Sequence, residues 1–93
     1  MNKEIFDQYL KYIKSGNPAL LLDVRSSEEY GEYHLNGSVN IPLDQLKQKA
    51  TGEYPDLRLP IFVYCQSGDR AKKGAAILKE LGYLNVSSLG GLA

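Results

Sequence analysis

Apolar residues recur along this 93-residue chain with two alternating rhythms. Phe6, Tyr9, Leu10 and Ile13 fall at i, i+3, i+4 and i+7, which predicts an amphipathic helix. Ser15-Gly16-Asn17-Pro18 stops it. Ala19 to Val24 then runs on almost wholly apolar, without alternation, as a strand buried on both faces does. Ser26 and Glu29 have the spacing of a capping box and predict a short helix toward Tyr33. Asn36-Gly37 turns the chain into a brief strand, Ser38 to Ile41, closed by Pro42.

Leu43 to Ala50 reads as a helix, and Thr51 to Pro60, with two prolines and a glycine, as a loop. Ile61-Phe-Val-Tyr64 is the second strongly apolar strand, with Cys65 at its C-terminal end. From Arg70 to Leu81, Ala71, Gly74, Ala75, Leu78 and Leu81 line one helical face, and Gly82 suits the C′ position. The small residues in its first turns would let this helix lie close on a sheet. Asn85 to Leu89 completes the pattern as a last strand. Such alternation predicts one α/β domain, a parallel sheet of four to five strands flanked by helices on both faces.

Composition narrows the function classes. Eleven basic residues balance eleven acidic ones, which leaves no electrostatic footprint for nucleic acid or an anionic membrane. Neither of the longest apolar runs, Ala19 to Leu22 and Ile61 to Cys65, is nearly long enough for a membrane span. The single cysteine cannot form a disulfide within the chain and suits a reducing compartment. A soluble, cytoplasmic protein is expected.

Candidate chemistry concentrates in Cys65-Gln-Ser-Gly-Asp-Arg70, between a buried strand and a helix. In parallel α/β sheets ligands bind outside the C-terminal strand ends. A loop entering a helix N-terminus there can turn several backbone N–H groups inward as an anion-binding nest. Gly68 permits a turn that a side chain would obstruct. A sulfur inside such a nest is expected to be a stabilised thiolate, the nucleophilic form. Arg70 adds positive charge and Asp69 opposes it. Taken singly these residues are bland: a free cysteine after an apolar strand is ordinarily an inert small hydrophobe. Their combination is more specific, yet generic for a small-anion or nucleophile loop.

Longer blocks carry a family likeness. Leu-Leu-Asp23-Val24-Arg25, Glu29-Tyr30, His34-Leu-Asn-Gly37, Val39-Asn-Ile-Pro42, Tyr64-Cys65-Gln-Ser-Gly68-Asp-Arg70 and Leu89-Gly-Gly91 stand in the order and spacing of rhodanese domains. The sequence thus resembles the rhodanese-like, single-domain sulfurtransferases. The resemblance implies an α/β domain spanning residues 1–93 whose Cys65 takes a sulfane sulfur from a small donor and yields it to a thiol or protein acceptor. Gln66, Ser67, Gly68, Asp69 and Arg70 would hold the persulfide and the departing anion. No metal and no cofactor are implied. Two alternatives stay open: a cysteine-dependent phosphatase or arsenate reductase, and a non-catalytic binding or regulatory module. The phosphatase relatives have one more residue in the loop, whereas four residues separate Cys65 from Arg70 here, which favours sulfur.

Asp23 and Arg25 resemble the family's structural pair, and His34, the only histidine, is expected to brace a turn. Gln66 and Ser67 stand where thiosulfate-specific relatives carry basic residues, and Glu29 lies near a further such place. The family's short first strand is faint here. The family also commonly continues through an aromatic residue into a final helix beyond the Gly-Gly. Ending at Ala93, the sequence implies a minimal or C-terminally shortened form, with one sheet face incompletely covered.

Overall fold

The computed structural model describes Met1–Ala93. Helix α1 (Lys3–Lys14) is capped by Asn2, whose side chain accepts from the Ile5 amide at 3.1 Å. It is followed by β1 (Leu20–Asp23), α2 (Ser27–Glu32), β2 (Ser38–Asn40), α3 (Leu43–Glu53), β3 (Ile61–Cys65), α4 (Asp69–Glu80) and β4 (Val86–Gly91). The four strands form one wholly parallel sheet in the order β2-β1-β3-β4. No separate strand precedes α1. The Asn2 amide makes a single bond to the Leu89 carbonyl instead.

The two central strands, β1 and β3, are buried throughout, which explains their unbroken apolar runs. Leu20, Leu22, Val24, Ile61 and Val63 turn to one face and meet Leu46, Ala50, Ala71 and Leu78 of α3 and α4. Leu21, Phe62, Tyr64 and Leu89 turn to the other, under Tyr9 of α1. Helices therefore cover both faces. A Cβ added at Gly74 would stand 3.3 Å from Val24 and 3.4 Å from Val63, so the small residues of α4 do set its close approach. No helix is long and apolar enough to cross a membrane.

Three boundaries differ from expectation. Ile13, assigned to the buried stripe of α1, is 47% exposed, while Ile5 and Tyr12 pack inward. The inward face is thus rotated toward Ile5, Phe6, Tyr9 and Tyr12. Helix α3 continues through Thr51 and Gly52 to Glu53, into the stretch read as loop. A glycine inside a helix costs only about 1 kcal/mol relative to alanine. Packing of Tyr54 against the core and the Tyr83 hydroxyl donated to its carbonyl at 2.5 Å hold the end in place. Strand β4 runs two residues beyond Leu89, because a register shift opposite Val63 and Tyr64 carries Leu89 as an extra residue. That shift sets Gly90 opposite Tyr64 and Gly91 opposite Cys65.

Candidate functional site

At the C-terminal edge of the sheet, β3 ends on Cys65 and the chain turns through Gln66 and Ser67 into α4. Gly68 makes the turn with a positive φ of 104°. A side chain would be strained there, so the glycine is required by backbone geometry. The turn brings two amides onto the thiol: Gly68 N–H donates to Cys65 Sγ at 3.0 Å and Ala71 N–H at 3.2 Å. Both stabilise negative charge on that sulfur, as does the start of α4. Ala71 was missed in the sequence because only its backbone acts. The other loop amides, of Gln66, Ser67, Asp69 and Arg70, make no hydrogen bond to the sulfur.

Cys65 itself is fully buried, whereas Gln66, Ser67 and Asp69 are exposed. The thiol therefore lies beneath a rim of polar loop. The loop is held from below by the end of β4. Leu92 N–H donates to the Cys65 carbonyl at 2.9 Å and Ala93 N–H to the Gln66 carbonyl at 3.0 Å. Gly91 passes so close that a Cβ on it would stand 2.4 Å from the Gln66 oxygen. Only glycine fits that crossing.

Two ion pairs flank the loop. Asp23 and Arg25 are buried together: Nε lies 3.1 Å from both carboxylate oxygens, and Nη2 donates to Oδ2 at 2.8 Å. Asp23 also accepts from the Arg25 amide at 2.8 Å, and Nη2 donates on to the Tyr33 carbonyl. The pair thus ties the end of β1 to the turn after α2, as structural braces do. His34 is exposed, stacked on Tyr30 at 3.7 Å with Nδ1 2.7 Å from the Tyr30 carbonyl, again a local brace.

The second pair joins residues 41 apart and was not foreseen. Arg70 Nη1 donates to Glu29 Oε1 at 2.6 Å and Nη2 to Oε2 at 2.9 Å. The sequence assigns the charge of Arg70 to the loop, opposed by Asp69; the guanidinium instead meets the Glu29 carboxylate fork to fork. Glu29 is the capping-box residue of α2, and Oε1 also accepts from the Ser26 amide and hydroxyl. The Arg70 guanidinium is the largest influence holding the Glu29 carboxyl down at about 2, with Ser26 helping and burial opposing.

Beside Arg70 lies a cleft of about 320 Å³ lined also by Val24, Ser26, Pro42, Leu43 and Asp44. A larger depression, about 380 Å³, sits on α1 around Lys11, Tyr12 and Asn17. It shares no residue with the cysteine loop, whereas Arg70 of that loop lines the smaller cleft. No group of three or more His, Cys, Asp or Glu side chains is arranged to hold a metal ion.

A parallel α/β sheet that delivers its one cysteine into a four-residue loop at a helix start defines a class, and the family comparison agrees. The rhodanese-like domain model matches residues 6–93, and the chain belongs to that family. It is 38% identical over 71 residues to the thiosulfate sulfurtransferase PspE of Escherichia coli (strain K12), covering 76% of this chain and 68% of that one. Among solved structures it resembles a rhodanese with anions from E. coli, with a TM-score of 0.75 and 36% identity over 80% of this chain and 87% of that one. The human single-domain sulfurtransferase TSTD1 superposes with a TM-score of 0.78 and 26% identity, over 94% and 87% of the two chains.

Proposed function

We propose that the protein is a sulfurtransferase that carries sulfane sulfur as a persulfide on Cys65. The observation that carries this reading is the Cys65 sulfur itself, set at the end of β3 with two backbone N–H groups directed at it. A thiolate there attacks the outer sulfur of a small donor. The new S–S bond forms as the donor's own bond to that sulfur breaks, and the departing anion takes the electron pair. The terminal sulfur then bears the negative charge. The amides of Gln66, Ser67, Asp69 and Arg70, which make no hydrogen bond to the thiol, are the groups available to receive it. A thiol or protein acceptor attacks that terminal sulfur and frees Cys65.

Neither step draws on a metal or an organic cofactor. The likeness to PspE, named for thiosulfate sulfurtransfer, and to the human sulfurtransferase supports the reaction class. The lone cysteine, with no disulfide partner, fits a reducing cytoplasmic setting. The test is Cys65→Ser, which replaces the sulfur nucleophile by an alcohol. The variant is expected to fold normally and to lose donor-to-cyanide transfer. Transfer near the wild-type rate would remove Cys65 from the mechanism.

A further inference from the structure

The loop carries one cation, Arg70, and one carboxylate, Asp69, which is exposed at the first turn of α4. Arg70 is engaged by Glu29 through two nitrogens, leaving no uncompensated positive charge at the loop. The next cations, Lys72 and Lys73, are exposed a turn further along α4. Opposite them, Asp44 lines the cleft beside Arg70 and Glu28 is exposed on α2. A Cys65 thiolate adds a further negative charge when it reacts. This is poor surroundings for a doubly charged donor.

We propose that Glu29 determines which donors the site accepts: by neutralising Arg70 it disfavours dianionic sulfane donors and leaves singly charged ones the better substrates. The proposal rests on the sulfurtransfer reading and refines it to donor charge. Thiosulfate and methanethiosulfonate make the natural pair of probes. In both, Cys65 thiolate takes the outer sulfur and the S–S bond breaks toward the oxidised sulfur. Sulfite dianion leaves from the first and methanesulfinate monoanion from the second, and each reaction conserves charge. The donors differ by one unit of charge.

Glu29→Gln keeps the capping box and a hydrogen-bonding oxygen for Arg70 while deleting the negative charge. For charges roughly 6 Å apart in water-like, salt-screened surroundings, kcat/KM for thiosulfate should rise about three- to tenfold. The interaction scales with donor charge, so the gain for methanethiosulfonate should be only its square root, about two- to threefold. The ratio of the two constants therefore moves toward thiosulfate. Equal gains for both donors, or a fall for thiosulfate, would overturn the proposal; the fall would mean that Glu29 orients Arg70 as a donor ligand.

Salt dependence of the wild-type protein supplies a check that needs no variant. Its kcat/KM for thiosulfate should stay level or rise with ionic strength, as for like charges, and a steep fall would contradict the proposal. Persulfide formation with methanethiosulfonate tests the underlying reading separately. A wild-type protein inert to both donors would remove the sulfurtransfer reading and this proposal with it. A protein sulfurated normally, whose donor ratio ignores Glu29→Gln, removes only the proposal.

Discussion

Two arginines meet carboxylates at the C-terminal edge of the sheet, and they are held in opposite ways. Arg25 and Asp23 are neighbours in sequence, with side chains 4% and 0% exposed. Arg70 and Glu29 come from distant helices, with side chains 36% and 33% exposed. The first pair is sealed from water, so each charge depends wholly on the other, and breaking such a pair is expensive. The second is bathed by solvent and screened by salt, so its worth to stability is small. Similar chemistry thus serves two ends: the buried pair fixes the frame around the loop, and the exposed one sets the charge that a reagent meets.

The sharpest way to break the comparison is to delete one member of each pair. Asp23→Ala should cost about 3–5 kcal/mol of stability, since it strands Arg25 in the interior. Denaturant unfolding would show it, and a loss under about 1 kcal/mol would put the two pairs in one class.

Between the pairs, the loop is positioned by backbone. Gly91→Ala should cost about 1–3 kcal/mol by forcing the Gln66 peptide aside. It should also slow sulfur transfer per folded molecule by about tenfold or more, because small misplacements of reacting groups are costly. Gly31→Ala, inside α2 where a Cβ meets open space, is the control: it should raise stability by up to about 1 kcal/mol and leave transfer per folded molecule unchanged. A Gly91→Ala protein with full activity per folded molecule would show that the β4 contact holds the fold alone.

Arg70→Gln should lower stability by less than about 1 kcal/mol. The smallest effect is its pH dependence. Glu29 has its carboxyl pulled from an ordinary 4.5 down to about 2 by folding, so the pair contributes fully above pH 4.5. That contribution fades as pH falls toward 2, where Glu29 protonates in the folded protein too. The stability difference between wild type and Arg70→Gln should therefore be level from neutrality to about pH 5 and shrink below it. A difference that grows on acidification would mean that another group governs the pair.

Much of this was legible in the chain, and the boundary is physical. The Ser26–Glu29 capping box, the glycine after α4 and the two doubly buried strands follow from local spacing and are all present. The position of Cys65 at a strand end also followed, because strand and helix patterns meet there. The Glu29–Arg70 pair did not, since nothing within either segment signals a partner 41 residues away. Gly91 could be recognised as part of a motif but not as the residue that lets β4 pass under Gln66. That contact depends on the register shift opposite Val63 and Tyr64. The thiol's second donor, the Ala71 amide, leaves no mark in side-chain chemistry at all.

The most direct measurement is the intact mass of the wild-type protein after incubation with a sulfane donor and removal of the excess. Addition of one sulfur atom, about 32 Da, is expected on Cys65, the only thiol in the chain. Cyanide should then discharge it as thiocyanate and restore the starting mass. An unchanged mass with dianionic and monoanionic donors alike, in protein shown to be folded, would contradict sulfur carriage by Cys65.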